Sequence, residues 1–294
     1  MYKPLILISN DDGFRAKGIN CLIDMVKEFG DVIVCAPDSA RSGYSTAFSG
    51  LEYLTLKPSL TENGYQKVQD GVKVYYSNGT PVDCIKLAYS ELCSRKPDLV
   101  IGGINHGDNS TVNNHYSGTV GVAKEGCMKG IPSIAFSLCD YDKDANFEPL
   151  RPYIQSIVKK VLAEGLPHGT FLNVNFPKTE KSQCQCQSQS QSPFAGVRMC
   201  RMTFGGWVNE VSKCAHPRGF DYYWLVGHLL NDEPDAEDTD QWALNHNYVA
   251  ITPTTIDVTD YQLLKEWKSL PQLTTNREQR GACFTMPRCE ERRQ

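Results

Sequence analysis

The sequence predicts an α/β protein with a mostly parallel central sheet. Its first 136 residues alternate short β-branched runs with amphipathic stretches, a pattern typical of parallel strands joined by crossover helices. The 294 residues allow one large domain or two modest ones, and 40% hydrophobic residues can supply a sizeable core. We expect helices on both faces of the sheet.

The core strands and helices are placed by the positions of apolar residues. In chain order they are a strand at 5–8, a helix at 19–29, a strand at 32–36, a helix at 80–94, a strand at 98–101, a helix at 117–129, a strand at 131–136, a helix at 149–163 and a strand at 170–176. The first helix stops at Gly30, a usual terminator. Thr80 begins the second, because a hydroxyl cap is followed by Pro81 and by Asp83 in the first turn.

Other segments depart from this alternation. Around Asn63–Gly64, between residues 50 and 77, the pattern predicts an antiparallel hairpin. We expect the core sheet to end at residue 176, followed by an irregular antiparallel arm at about 178–240. Strand-like pieces lie at 197–204, 222–226 and 248–252, and a short helix lies at 261–267. Residues 1–267 are expected to form one domain with its core in about 1–177, and the polar tail at 268–294 to be disordered.

Composition and charge exclude several classes of protein. Lys and Arg total 30 against 34 Asp and Glu, so the net charge of -4 supplies no basic surface for a nucleic acid duplex. The longest early apolar run, at 5–8, is far shorter than the roughly 20 residues of a membrane helix, and it is too short for a signal peptide. We therefore expect a cytoplasmic protein with no membrane or duplex partner.

The 12 cysteines indicate a reducing compartment. Most are scattered singly through apolar segments, where a thiol behaves as a small buried hydrophobe. Cys184 and Cys186 form a close pair within the Gln/Ser tract at 182–192. We interpret this tract as an exposed insertion, because a zinc site would require a second pair of ligands at a suitable spacing.

Polar residues collect just after three of the predicted strands. Asn10–Gly13 follow the first strand, Asp38 and Arg41–Gly43 follow the second, and Gly103–Asn109 follow the strand at 98–101. In a sheet with helices on both faces, ligands bind outside the carboxyl ends of the parallel strands. We therefore expect these loops to deliver their oxygen atoms to one edge of the sheet.

The adjacent carboxylates of Asp11 and Asp12 repel each other unless a positive group lies beside them. A divalent cation would serve, because the two carboxylates, the Ser42 hydroxyl and the Asn105 amide offer the oxygen ligands that Mg²⁺, Mn²⁺ and Ca²⁺ prefer. The alternative is that either Asp caps a helix and Asn105 is a turn residue. The combination of three loops favours the metal site.

Ser117–Thr119 opens the helix at 117–129, where free backbone N–H groups and the helix dipole can bind an anion. Helix capping explains these residues equally well when they are taken alone. Beside a cation, they predict a phosphoryl group that bridges the metal and the helix end. The sequence lacks the Walker and Gly-x-Gly-x-x-Gly loops, and its acidic pair is consecutive rather than Asp-x-Asp.

We therefore predict direct attack on a phosphate monoester by water that the metal activates. The histidines show no spacing typical of metal ligands. His106 and His115 are the two to test, because they lie in the loop that carries Asn105. His106 is a candidate for the acid that protonates the leaving alcohol.

Five ordered motifs carry a family resemblance. They are Ile8–Gly13, Ala36–Asp38 with Arg41–Gly43, Gly79–Cys84, Pro97–Val100 with Gly103–Asn105, and Tyr116–Thr119. Together they resemble the SurE family, the stationary-phase survival proteins, which are metal-dependent 5′- and 3′-nucleotidases. Asn173–Pro177 and Trp242–Pro253 are similar to later landmarks of that family, so the likeness covers about residues 3–267.

The resemblance implies a Rossmann-like three-layer core, a C-terminal arm exchanged between subunits, and a homodimer or homotetramer. It implies that one cation per subunit, Mn²⁺ or Mg²⁺, is held by four ligands, and that a following segment lines the phosphate position. The implied ligands are Asp11, Asp12, Ser42 and Asn105, with Asp11 and Asp12 also catalytic, and the implied phosphate residues are Ser117, Gly118 and Thr119. The implied enzyme is a phosphoric monoester hydrolase of 5′-nucleotidase or acid phosphatase type that acts on nucleoside monophosphates and, in some members, on short polyphosphate.

Two departures from the family pattern leave the preferred nucleotide open. Thr46 stands where the family often has Asn, and the loop at 110–115 lacks the Gly and acidic residues common there. His106, Asn109 and His115 would form the substrate loop. The alternative function is a nucleotide-sensing module that binds a phosphorylated ligand without hydrolysing it. A scaffold role for the arm at 178–240 would leave the oxygen cluster unexplained.

Overall fold

A ten-stranded sheet forms the centre of the first unit of the chain, Met1–Ile256. The computed structural model describes residues 2–60, 68–69, 71–179 and 193–268. The strands of this sheet are β1 (Leu5–Ser9), β2 (Asp31–Pro37), β3 (Leu56–Pro58), β4 (Val68–Gln69), β5 (Val72–Ser77), β6 (Leu99–His106), β7 (Ser133–Leu138), β8 (Thr170–Phe176), β9 (Gly196–Met199) and, after two further ribbons, β14 (Tyr248–Thr255). Their order across the sheet is β3-β5-β2-β1-β6-β7-β8-β14-β9, with β4 also paired to β5.

The middle of the sheet is parallel from β5 to β8, as predicted. β3 and β4 run antiparallel to β5 at one side, and β14 runs antiparallel to β8 at the other. β1 and β7 are buried along their whole length, which accords with their continuous apolar runs. The predicted α/β class with a mostly parallel sheet and an antiparallel hairpin is confirmed.

Helices cover both faces of the sheet. In chain order they are α1 (Lys17–Val26), α2 (Pro81–Leu87), α3 (Asn113–Tyr116), α4 (Gly118–Met128), α5 (Arg151–Glu164) and α6 (Asp240–Asn245). α1 and α5 share one buried apolar cluster with the sheet, and α2 and α4 contribute to clusters that do not include α1 or α5. The three-layer arrangement expected from the family resemblance is therefore present.

The predicted start of α2 is confirmed in detail. Thr80 accepts a hydrogen bond from the Asp83 N–H, and the Asp83 side chain accepts one from the Thr80 N–H, which together make a capping box. Pro81 is the first helical residue, and a π-helical turn at Ala88–Leu92 continues the helix. α1 ends at Val26, three residues earlier than the predicted end at Phe29. In the turn that follows, the Phe29 N–H donates a hydrogen bond to the Val26 carbonyl.

Two predictions of strand extent are wrong. β6 continues beyond residue 101 to His106, so Asn105 and His106 lie at the end of a strand rather than in the following loop. The sheet does not end at residue 176, because β14 adds to β8 and β9 adds to β14. The pairing of β14 with β9 stops at Ile251. Pro253 lies beyond this pairing, so its lack of an N–H costs no hydrogen bond to β9.

Two antiparallel ribbons stand apart from this sheet. β10 (Gly205–Val208) pairs with β13 (His228–Asn231), and β11 (Val211–Ala215) pairs with β12 (Asp221–Leu225). Every residue of β12 is exposed, including Tyr223 and Trp224. The predicted antiparallel character is confirmed for these two ribbons and is wrong for β9, which lies in the same predicted region and runs parallel to β14. Subunit exchange by an arm stays a prediction.

The second unit, Asp257–Gln294, contains α7 (Tyr261–Lys268), which confirms the predicted short helix. The Asn63–Gly64 turn, the Cys184–Cys186 pair and residues 269–294 of the predicted tail lie outside the described residues. The domain bounds 1–267 and 268–294 stay predictions. The eight cysteines of the described part are free thiols. No helix in the described part combines the length and the apolar character that crossing a bilayer requires.

Candidate active site

The loops predicted to converge do meet at the carboxyl edge of the sheet. β1 lies between β2 and β6 and is parallel to both, so the segments that follow these strands emerge side by side. Asp11 and Asp12 follow β1, Ser42 lies in the loop after β2, and Asn105 is the penultimate residue of β6. The pairing of β6 with β7 shifts register between Gly102 and Asn105.

Asp11 is buried, with 3% of its surface exposed, between the start of α4 and the loop after β2. Its Oδ1 accepts a hydrogen bond of 2.6 Å from the Thr119 hydroxyl, and its carbonyl oxygen accepts one of 2.6 Å from the Arg41 N–H. A Cβ at Gly118 would lie 2.8 Å from the Asp11 Cβ. Only glycine fits this approach without displacing Asp11. The segment predicted to bind phosphate thus contacts the first carboxylate directly.

Asp12 reaches toward the end of β6 instead. Its Oδ2 accepts a hydrogen bond of 3.2 Å from the His106 N–H. The neighbouring Asn105 is 8% exposed, and its amide nitrogen donates to the Gly107 carbonyl at 2.9 Å. That bond orients Asn105 so that its amide oxygen is the atom left to meet a ligand.

Burial of the acidic pair opposes its ionisation. Loss of hydration and the charge of Asp12 raise the pKa of Asp11 to about 6, against the opposing hydrogen bond from Thr119. Burial also raises the pKa of Asp12, and the His106 N–H partly offsets this. In the metal-free protein the ionised pair is therefore unfavourable. A cation beside it would remove the repulsion and favour both carboxylates.

Ser42 lies on an exposed turn that its neighbour Arg41 fixes to the site. The Arg41 N–H bonds Asp11, while its guanidinium donates to the Asn78 carbonyl at 3.0 Å and lies 3.6 Å from the Asp38 carboxylate. Arg41 thereby joins the segments that follow β1, β2 and β5. The sequence places Arg41 in a motif but does not indicate that its side chain joins these segments.

The three residues predicted to line the phosphate position have different roles in the structure. The Ser117 hydroxyl accepts a hydrogen bond of 3.0 Å from the Val120 N–H, so the capping alternative is realised for this side chain. The Thr119 hydroxyl is held by Asp11. The first backbone N–H groups of α4, at Gly118 and Thr119, are what this segment offers an anion. Phosphate binding there stays a prediction.

The histidines and Asn109 of the predicted substrate loop make different contacts in the structure. The His106 ring packs edge-on against Phe147, with 4.8 Å between the ring centroids. Burial lowers the pKa of His106, which favours the neutral ring over the imidazolium that would donate a proton to the leaving alcohol. His115 is exposed on α3, and its carbonyl accepts a hydrogen bond of 2.5 Å from the Ser45 hydroxyl.

Asn109 is buried and bonded to two strands. Its amide donates to the Ser137 hydroxyl at 2.8 Å, its N–H donates to the Asn175 side chain at 3.0 Å, and its carbonyl accepts from Asn173 at 2.8 Å. These contacts hold the loop after β6 against β7 and β8. A role for the Asn109 side chain toward a substrate stays a prediction.

Ser45 and Asp240, which no sequence motif indicates, connect separate segments of the chain. Ser45 bonds His115 through its hydroxyl and the Tyr116 carbonyl through its N–H at 3.0 Å, which joins the loop after β2 to the start of α4. Buried Asp240 accepts hydrogen bonds from the N–H groups of Thr111 and Thr203. Both contacts join segments far apart in the sequence, so no local pattern could have indicated them.

The donor set fits a hard divalent cation through its chemistry. Two carboxylates, an amide oxygen and a hydroxyl belong to segments that the structure places side by side, and oxygen is the ligand type such ions prefer. Within the described ranges, no cluster of three or more His, Cys, Asp or Glu side chains could hold a metal. Ligands at this site must therefore include the neutral oxygens of Ser42 or Asn105, or water.

The fold and the site together define an α/β protein with an acidic centre and a helix N-terminus at the carboxyl edge of its sheet. The family model described as "Survival protein SurE" matches residues 6–208. The chain belongs to the SurE family, which confirms the resemblance seen in the motifs.

Relatives and a solved structure agree with this assignment over most of the chain. The 5′-nucleotidase SurE of Phocaeicola vulgatus is 51% identical over 91% of this chain and 96% of its own length. That of Bacteroides thetaiotaomicron is 47% identical over 90% of this chain and 95% of its own length. The crystal structure of SurE protein from Aquifex aeolicus has 35% identity and a TM-score of 0.72, covering 90% of this chain and 98% of its own.

Proposed function

We propose that this chain is a divalent-metal-dependent phosphatase that hydrolyses nucleoside monophosphates, a 5′- or 3′-nucleotidase. The observation that carries the proposal is the pair of consecutive carboxylates, buried Asp11 and partly buried Asp12, with Asp11 directly beside the first N–H groups of α4. The activity named for the bacterial relatives supports the same reaction. The donor chemistry favours Mn²⁺ or Mg²⁺, one ion per chain, as the cofactor.

Four residues would hold the cation: Asp11, Asp12, Ser42 and Asn105. When bound, the ion polarises a phosphoryl oxygen and lowers the pKa of a water ligand. The Asp11 carboxylate is oriented by Thr119, so one of its oxygens is committed to that hydroxyl and the other faces Gly118. Asp12 is oriented by the His106 N–H and would also orient the attacking water.

The start of α4 would receive the phosphoryl group. The backbone N–H groups of Gly118 and Thr119 are fixed donors, and they stabilise charge on the phosphoryl oxygens without reorganising. The Ser117 hydroxyl maintains this helix end through its bond to Val120. The same segment therefore supports one carboxylate and offers donors to the substrate.

Release of inorganic phosphate from a panel of 5′- and 3′-nucleoside monophosphates tests the proposal. We expect turnover with Mn²⁺ or Mg²⁺, its loss on chelation, and its return when metal is added. Asp12→Asn should abolish this turnover, and Ser42→Ala should lower it less because a neutral ligand is lost. Binding without phosphate release would instead identify a nucleotide sensor, and the reverse order of the two variants would indicate Ser42 as a nucleophile.

We further propose that the protein is a homodimer or homotetramer in the cytoplasm. β12 exposes apolar side chains on both faces of its ribbon, with Tyr223 and Leu225 on one face and Trp224 on the other, and protein interfaces commonly cover such side chains. A second copy of the chain is the partner that the family resemblance suggests. Light scattering of the purified chain gives its mass directly, and a monomeric mass at all concentrations would contradict this part of the proposal.

A further inference from the structure

Two exposed tyrosines lie at the rim of the candidate active site. Tyr116 is the last residue of α3 and directly precedes Ser117, the cap of α4, with 54% of its surface exposed. Tyr44 lies two residues beyond Ser42 in the loop after β2, and 43% of its surface is exposed. Within the described ranges, neither ring packs against another aromatic ring.

The backbone that carries these rings is fixed although the rings themselves are exposed. The Ser45 N–H bonds the Tyr116 carbonyl at 3.0 Å, which places the residue after Tyr44 against Tyr116. A Cβ at Gly121 would lie 2.3 Å from the Ser45 carbonyl oxygen, so this loop lies directly on α4. The two tyrosines are therefore attached to the elements that bear the predicted metal and phosphate ligands.

Further contacts hold the segments that carry the two tyrosines. The Arg41 guanidinium lies 5.8 Å from the centre of the Tyr44 ring, and the Arg41 N–H bonds the Asp11 carbonyl. At the other end of α3, Asn113 accepts a hydrogen bond of 2.9 Å from the Trp207 indole. Tyr44 is thus attached through Arg41 to the acidic pair, and Tyr116 belongs to a helix that is attached at both ends.

We infer that Tyr116, together with Tyr44, binds the nucleobase of the substrate by stacking. This inference rests on the proposed function and adds the part of the substrate that the acidic centre does not contact. Every nucleobase has a flat π-face that stacks on aromatic side chains. A phosphate at the first N–H groups of α4 would lie close to Tyr116, since two Cα steps of about 3.8 Å place the Tyr116 Cα within about 7.6 Å of the Gly118 Cα.

The two tyrosines would distinguish substrates by the presence of an aromatic base, and not by hydrogen bonds to that base. Tyrosine offers area at a small cost in conformational entropy, and its stacking tolerates any base. A phosphomonoester without a base, such as ribose 5-phosphate, would occupy the phosphate position and leave the two rings uncovered. The ratio of kcat/KM for AMP to kcat/KM for ribose 5-phosphate therefore measures the contribution of the rim.

The full chain with Mn²⁺ provides the test. We expect Tyr116→Ala to lower this ratio by about 5-fold or more, and Tyr44→Ala to lower it in the same direction. Tyr116→Phe should keep the ratio within about 2-fold of the parent, because the flat ring remains. Tyr2→Ala is the matched control, since Tyr2 is an exposed tyrosine that precedes β1 at the opposite edge of the sheet.

An unchanged ratio in both alanine variants, or an equal loss for both substrates, would overturn the inference while leaving the proposed hydrolysis in place. If the parent chain releases phosphate from neither substrate, the proposed hydrolysis fails and calorimetric titration with AMP and ribose 5-phosphate decides about the rim. There the inference predicts that Tyr116→Ala selectively weakens AMP binding. A parent chain that binds no AMP would overturn both proposals.

Discussion

At the scale of single residues, Asp11 is in the least favourable electrostatic position of the candidate site. It is buried beside another carboxylate, and its pKa is raised to about 6. Its Thr119 hydrogen bond orients the carboxylate without neutralising it. Such a position costs stability in the metal-free chain, and that cost has a measurable pH dependence.

In the presence of a chelator at pH 8, we expect Asp11→Asn to be more stable than the parent by about 1 to 3 kcal/mol. The amide carries no charge, and its oxygen can still accept the Thr119 hydrogen bond. The folded parent binds more protons than the unfolded chain between about pH 4 and pH 6, so its stability falls as the pH rises through this range. The advantage of the variant should shrink as the pH falls from 6 to 4. Urea unfolding of both proteins between pH 4 and pH 8 measures the difference in their free energies of unfolding. A variant less stable than the parent at pH 8 would show that the ionised Asp11 carboxylate does not destabilise the metal-free chain.

Gly118 provides a second test at this scale. A Cβ there would lie 2.8 Å from the Asp11 Cβ and 3.1 Å from its Oδ2, so Gly118→Ala must displace the carboxylate. We expect at least about a 10-fold loss of Mn²⁺ affinity, because a small displacement of a ligand disrupts coordination. Gly206→Ala is the control, since a Cβ there has no neighbour within 4 Å. Equal Mn²⁺ affinity in the Gly118 variant and the control would show that Asp11 is not a ligand.

At the scale of elements, the sequence predicts what is determined locally. β1 and β2 follow from apolar runs, and the start of α2 follows from Thr80, Pro81 and Asp83. The end of β6 could not be predicted in the same way. Its glycines and Asn105 have the composition of a loop, and pairing with neighbouring strands keeps this segment in the sheet, since Gly102 pairs with β1 and β7 and Asn105 pairs with β7.

The contacts of Asp240 likewise depend on the tertiary structure. Its carboxylate is fully buried at the start of α6 and accepts hydrogen bonds from Thr111 at 2.9 Å, from the Thr203 N–H and hydroxyl at 3.0 and 2.6 Å, and from Gln241 at 2.8 Å. It therefore attaches the loop after β6 to the segment that follows β9. No spacing in the sequence relates Thr111 to Asp240.

Removal of this carboxylate should destabilise the fold. We expect Asp240→Ala to lower the free energy of unfolding by about 2 to 4 kcal/mol, because several buried donors lose their acceptor. Asp238→Ala should cost less than about 1 kcal/mol, since Asp238 forms an exposed ion pair with Arg201. Urea unfolding of both variants measures the difference, and equal losses would show that the buried network contributes little.

At the scale of the whole molecule, the sheet order explains how the site could be predicted before the contacts were known. Parallel β2, β1 and β6 are neighbours, so the segments after them must meet. That rule gave Asp11, Asp12, Ser42 and Asn105. It could not give the role of Thr119 as a support for Asp11, because that contact depends on how α4 packs against the end of β1, whereas the cap by Ser117 is local and is one of the alternatives that the sequence offers.

The limits of prediction have the same origin at the far side of the sheet. β9 joins it before the two ribbons and β14 joins it after them, and neither strand is signalled by the regular alternation of the first half. The predicted end of the sheet at residue 176 is therefore wrong, although the predicted strand at 248–252 is confirmed. Whether these strands belong to the sheet depends on pairing between segments far apart in the chain, and a local sequence pattern does not indicate that pairing.

Separate segments of this chain are proposed to bring oxygen ligands together around one divalent cation. Calorimetric titration of the metal-free protein with Mn²⁺, for the parent and for Asp12→Asn, measures whether they do. We expect one ion per chain for the parent and an affinity at least about 100-fold weaker for the variant, whose fold should be intact by circular dichroism. Equal affinity and stoichiometry in the two proteins would show that Asp12 does not hold the ion.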